Sequence, residues 1–159
     1  MTLYEYYNIS DAALASLEGA FWQGQTLTPR AAHTVTSVKL LMYRHGGPGT
    51  VTVAVKAVDG AGLPTGADLC SGTTSGDTLP VDYGGEWREV TLGAGAALSA
   101  ATKYAIVVKA AAGDGNNYVR WRYKSPGPYP RGAHVFSSDG GTTWEEDTSR
   151  DLMFEEWGS

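Results

Sequence analysis

The sequence predicts an all-β protein, a single antiparallel β-sandwich of eight or nine strands over residues 1–159. Three observations carry that reading. His33 to Val58 contains two long stretches of period-two alternation joined by His45-Gly46-Gly47-Pro48-Gly49. Glycine (21 residues) and aromatic residues (9 Tyr, 5 Trp) are abundant, whereas charged residues make up only 18%. Convincing helical stretches are scarce. Together these features describe short alternating strands separated by turns.

The elements follow in order. Residues 1–19 read as an N-terminal arm or edge segment, with Tyr4, Tyr6 and Tyr7 opening an edge strand. Asp11 to Leu17 suggests one helical turn capped by Ser10 or Asp11. Phe21 to Leu27 is a strand stopped by Thr28-Pro29. In the central hairpin Val38, Leu40 and Met42 alternate with Lys39, Leu41 and Tyr43. Beyond its turn Val51, Val53 and Val55 share one face. Residues 59–85 read as loop, anchored by Leu63, Leu69 and Leu79. Glu86–Leu92 and Lys103–Lys109 alternate again, with the glycine-rich span between them as a sheet-crossing loop. Asn117–Lys124, a hairpin at 134–144 and a final strand from Leu152 complete the chain.

Composition narrows the function. A net charge of −5 and a pI of about 5.1 give phosphate-backbone binding no electrostatic basis, so nucleic acid is not an expected partner. No run approaches the ~20 apolar residues of a helical membrane span. One cysteine, Cys70, excludes an internal disulfide and has no evident base beside it. The N-terminus shows no signal peptide. His33, His45 and His134 lack metal-ligand spacing, and no G-x-S-x-G marks a nucleophile.

Three groups of residues merit a functional reading. Asp59, Asp68 and Asp77 lie in glycine-rich segments that could hold calcium, although Asx turns are the commoner use of such aspartates. No other cofactor is indicated. The C-terminal acids Glu145, Glu146, Asp147, Asp151, Glu155 and Glu156 read as a solvated edge that discourages strand pairing. A glycosidase would instead need two of them facing across a cleft. Finally, Tyr118, Arg120 and Arg122 share the outward face of a strand whose other face carries Val119, Trp121 and Tyr123. Tyr129 and Arg131 follow on a proline-stiffened loop, and Asn116 and Asn117 precede. Exposed aromatics with arginines suit a protein interface or a glycan site, and arginine stems also simply cover sheet surface.

The ordered series formed by residues 21–80, then GEWREVTL, TKYAIVVKA, NNYVRWR, SSDGGTTW and DLMFEEWG, resembles a known family. It is similar to the jelly-roll β-sandwich domain of environmental phage, prophage and bacterial surface proteins, the choice-of-anchor R-like group. That resemblance implies a jelly roll and a non-catalytic role on the outside of a particle or cell, with no ligand residues to carry over. Ser137, Asp139, Gly141, Thr143 and Trp144 also fit S-x-D-x-G-x-T-W, which resembles the Asp box, a hairpin whose aspartate ties down its turn. The expectation is therefore a non-enzymatic virion structural protein, a capsid decoration or tail accessory component. It would be made in the cytoplasm without a signal peptide, sit on a virion or extracellular surface, and act as a homo-oligomer or within a particle lattice. A carbohydrate-binding module of a receptor-binding or surface protein is the alternative.

Overall fold

A computed structural model describes residues 1–159. Two antiparallel sheets pack face to face as a β-sandwich, and the only helical element is a 3-10 turn at Gly76–Thr78. Thirteen strands are present, several of them only two to five residues long: β1 (Thr2–Tyr7), β2 (Ala13–Leu17), β3 (Trp22–Leu27), β4 (His33–His45), β5 (Thr50–Val58), β6 (Pro64–Ser75), β7 (Glu86–Leu98), β8 (Tyr104–Lys109), β9 (Tyr118–Lys124), β10 (His134–Ser137), β11 (Glu145–Asp147), β12 (Asp151–Leu152) and β13 (Phe154–Gly158). One sheet runs β1-β13-β4-β9-β12, with β2 paired to β9 and β7 paired to β4. The other runs β11-β10-β3-β8-β5-β6.

Alternation decides which face meets the core. Val35, Val38, Leu40 and Met42 of β4 are buried in one cluster with Val51, Val53 and Val55 of β5 and with Ile106 and Val108 of β8. Trp121 is fully buried, and its indole Nε1 donates to the Met153 carbonyl at 2.8 Å. That bond sits at a fork. β4 pairs with β9 over Met42–His45 but with β13 over Val35–Leu40, and Met153 occupies the branch point. There Met153 N donates to the Arg122 carbonyl while its own carbonyl also accepts from Leu41 N. The C-terminal strand thus enters the sheet between two strands that diverge.

Four expectations need correction. Asp11–Leu17 is not a helical turn: Ala13–Leu17 pairs along β9 as β2, burying Ala15 and Leu17 on one face. Residues 59–85 contain a twelve-residue strand, β6, laddered to β5 from Thr50↔Ser75 to Val58↔Pro64. Backbone pairing at a sheet edge fixes β6, so its side chains stay largely exposed and leave no periodic apolar trace. Leu69 in it is accordingly exposed, whereas Leu79 is buried as expected. The span after Leu92 is not a crossing loop. β7 continues through it to Leu98 by bulging against Thr36 of β4, with Gly93 and Gly95 supplying the positive φ values (58° and 78°). The long neighbours β6 and β7 approach closely where the two sheets meet: a Cβ on Gly72 would lie 1.9 Å from the Thr91 carbonyl oxygen.

Candidate functional site

β1 builds the site. Its inward residues Glu5 and Tyr7 are buried, while Tyr6 points to solvent. A register shift between Leu3 and Glu5 sets Tyr4 out of step with β13. That places the Tyr4 ring flat on His33, with centroids 3.7 Å apart and planes within 4°. The same pairing sets Glu5 directly across from Glu156 of β13, with both residues almost completely buried.

Two carboxylates side by side in the interior need partners, because each loses its hydration. Glu5 Oε2 accepts from the Tyr129 hydroxyl at 2.7 Å and from the Arg131 guanidinium, and Oε1 accepts from Arg30 N at 3.1 Å. Glu156 Oε1 lies 2.7 Å from His33 Nε2, and its Oε2 has no partner. His33 Nδ1 is 2.9 Å from the Ala31 carbonyl, which can only accept, so Nδ1 carries a proton. The Nε2–Oε1 contact therefore needs one further proton shared between ring and carboxyl. Burial pushes the Glu156 carboxyl above the usual carboxylate range; His33 opposes this rise and the charge on Glu5 adds to it.

The loop carrying Tyr129 and Arg131 is held from several sides. Tyr129 N donates to Asp151 Oδ2 at 2.7 Å, and the Tyr129 ring meets Phe154 edge-on at 5.3 Å. Thr28 Oγ1 donates to the Arg131 carbonyl at 3.0 Å. Gly132 passes so close to β3 that a Cβ there would lie 1.8 Å from the Thr26 carbonyl oxygen. Asp151, buried beneath, has its carboxyl raised to about 6 by desolvation.

Above this floor lies a groove of about 250 Å³. Tyr4, Tyr6, Tyr7 and Tyr129 line it, with Pro128, Pro130 and Ile9 between them and Arg30 and Arg131 as its cations. A second, more polar depression of about 400 Å³ adjoins it across the shared residues Pro130 and Arg131. Thr28, Lys103, Glu146 and Thr148 give that depression its polar groups. Glu146 is the one carboxylate lining either depression. Glu5 and Glu156 lie beneath the surface, where they contact Arg131, Tyr129 and His33, and neither lines a depression.

The predicted binding residues separate into two places. Tyr118, Arg120 and Arg122 do lie opposite the buried Val119 and Trp121, yet they are only partly exposed. Tyr118 stacks on His45 at 5.0 Å, and the Arg120 guanidinium sits 4.7 Å over the Tyr118 ring. Arg122 pairs with Asp11 and donates to the Tyr83 carbonyl. Segment 79–85 crosses this face, with Tyr83 edge-on to Tyr43 at 5.4 Å and the Pro80 carbonyl accepting from Arg44 N. Tyr118 and Arg122 are thus engaged internally, whereas the buried Arg120 Nε has no hydrogen-bond partner. Tyr129 and Arg131 belong to the groove instead, and Tyr129 is buried rather than exposed because its hydroxyl is satisfied by Glu5.

The acidic C-terminus is not a uniformly solvated edge. Asp151 and Glu156 are buried, Asp147 pairs with Arg150, and Glu155 accepts from Asn8 Nδ2 at 2.7 Å. The three aspartates named for calcium do not converge. Asp59 caps its own turn through Ala61 N and Leu63 N, Asp68 pairs with Lys56 at 3.0 Å, and Asp77 accepts from Gly49 N. At the 137–144 turn Asp139 accepts from Thr143 N at 2.8 Å, from the Thr143 hydroxyl at 2.5 Å and from the Ser137 hydroxyl at 2.8 Å. These bonds hold the Asp139 carboxyl down at about 2. Trp144 Nε1 donates to the Gly141 carbonyl, and its ring lies edge-on to Trp22 at 6.4 Å.

Sequence reasoning missed Tyr4, Tyr6, Tyr7, Ile9 and Arg30 as groove residues, and Glu5, His33 and Glu156 as their support. The one usable signal was the density of tyrosine in residues 4–7. Comparison with known proteins adds no relative: no family model matches the chain, and no curated protein matches it.

Proposed function

We propose that this protein is a non-enzymatic structural component of a phage or virus particle surface, a decoration or tail accessory protein with a jelly-roll sandwich and an Asp-box hairpin. It works by contact with copies of itself or with a particle lattice. The observation that supports this most is the N-terminal edge. β1 is the outermost strand of its sheet, no further strand pairs with it, and Met1, Tyr6 and Ile9 expose apolar surface beside it. An open strand with apolar side chains is a template for pairing with another chain. Light scattering on the purified protein tests the reading. The expected result is a defined oligomer that Tyr6→Ser/Ile9→Ser converts to a monomer with an unchanged far-UV spectrum, while the melting temperature loses its dependence on protein concentration. A wild-type monomer at all concentrations, with no binding to particles, would sink it.

The tyrosine-lined groove favours a second reading, a carbohydrate-binding module. Tyrosine offers a flat apolar face with a polar rim at low entropic cost, which suits a sugar ring. A glycan panel separates the two readings, with Tyr6→Ala in the groove and Tyr118→Ala/Arg120→Ala on the other strip. Loss of binding through Tyr6→Ala alone would place the site in the groove.

A further inference from the structure

The chain carries 17 acidic and 12 basic side chains, yet the furrow formed by the two depressions has the opposite balance. Arg30, Arg131 and Lys103 line it against one exposed carboxylate, Glu146. Arg131 is anchored from below by Glu5, which keeps the guanidinium fixed against the floor. Arg30 is different. It is exposed, its guanidinium makes no hydrogen bond, and it forms no ion pair. Lys103 is likewise unpaired.

The aromatic residues divide in the same way. The hydroxyls of Tyr7 and Tyr129 are spent on Ser10 and Glu5, and the Tyr4 ring is stacked on His33. Tyr6 is about half exposed, with neither a ring partner nor a hydroxyl partner. A pre-set floor thus carries one free aromatic ring and one free guanidinium at the same mouth. Beyond the Pro130–Arg131 ridge, Thr28, Thr148 and Lys103 line the polar end.

We infer that the furrow binds an acidic oligosaccharide, one carrying a carboxylate on a sugar ring; this rests on the carbohydrate-binding reading above. The sugar ring lies on Tyr6, its carboxylate takes the Arg30 guanidinium in a bidentate pair, and the chain continues over Arg131 toward Lys103. Charge complementarity selects the acidic class: a neutral sugar would leave both free cations unused, in a furrow whose surroundings are acidic overall.

Titration calorimetry on the whole chain tests this, using galacturonate, glucuronate and sialic-acid oligosaccharides, their neutral counterparts and a polyglutamate peptide. Acidic sugars are expected to bind at least tenfold more tightly than neutral ones, and binding should weaken as salt rises. Arg30→Ala and Tyr6→Ala should each reduce affinity at least tenfold, and Lys103→Ala less. Both Arg30 and Tyr6 are exposed, so the variants are expected to keep the wild-type melting temperature. Binding of neutral and acidic sugars alike, indifferent to Arg30→Ala, would refute the acidic class and leave the carbohydrate reading standing. Failure of every sugar would refute both. Polyglutamate binding as tightly as the sugars would refute the saccharide in favour of an acidic peptide.

Discussion

Glu5→Gln removes one charge and almost no volume from the centre of the site. In the native protein this carboxylate is buried and accepts from the Tyr129 hydroxyl, the Arg131 guanidinium and Arg30 N. Removing one partner of a buried ion pair costs about 3–5 kcal/mol, because the survivor is left uncompensated. Two features move this case to the low end. The Arg131 side chain keeps 25% exposure, and losing the Glu5 charge relieves the neighbouring Glu156. The expected loss is about 3 kcal/mol, and at 2–4 °C per kcal/mol for a chain of this size the melting temperature falls by about 6–12 °C. Tyr129→Phe deletes a hydroxyl donor to a charged acceptor and costs about 1.5–3 kcal/mol. The double variant should lose less than the sum, since the Tyr129–Glu5 bond can be removed only once. Urea unfolding at pH 7, followed by tryptophan fluorescence, measures all three. A loss below about 1 kcal/mol for Glu5→Gln, or strict additivity, would show that this network does not hold β1 to the loop.

Two buried groups should oppose each other in pH dependence. Desolvation raises Asp151 from 3.8 to about 6, so the folded state holds its proton more tightly and this group's contribution to stability declines as pH rises from about 4 to 6. Desolvation lowers His134 from 6.5 to about 4, so its contribution is lost as pH falls across that window. Denaturation curves between pH 4 and 6.5 should therefore show stability falling with rising pH in His134→Gln and falling with acidification in Asp151→Asn; parallel profiles in both variants would contradict the assignment. At the sheet junction, Gly72→Ala meets the Thr91 carbonyl and should cost about 1–3 kcal/mol or more, whereas Gly60→Ala, with open space around it, should be near neutral in the same melts. In Glu156→Gln the carboxamide can still donate to His33 Nε2, so hydrogen exchange in β1 should stay slow, while His33→Ala should speed it by removing the ring that Tyr4 covers.

Elements whose two faces differ in polarity were legible. β5 and β9 bury mainly one face, with Val119 and Trp121 placed inward correctly, whereas β4 over Leu40–Tyr43 and β8 over Tyr104–Val108 are buried on both faces and are legible from their apolar runs. β2 and β6 were not legible, for different reasons. The Ala-Leu-Ala-Ser-Leu segment of β2 is as compatible with a helical turn as with a strand, and pairing with β9 decides it. In β6 pairing at a sheet edge replaces burial, so Ser, Gly and Thr carry no pattern. Glu156 shows the limit most sharply. Its side of the strand was deducible from alternation with Phe154, but charge argued for solvent. Only His33, separated from it by more than a hundred residues, makes burial tolerable.

The sequence by itself determined the class of architecture, because period-two alternation and turn residues are local and survive without knowledge of neighbours. It also determined the net charge of −5, since that is a sum over residues and needs no structure. The site was decided by tertiary structure alone. Tyr4, Tyr6 and Arg30 meet Tyr129 and Arg131 only because β1 pairs with the C-terminal β13 and thereby sets Glu5 beneath the loop. That contact joins the two ends of the chain, and hydrogen bonds across such separations leave no periodicity in either segment.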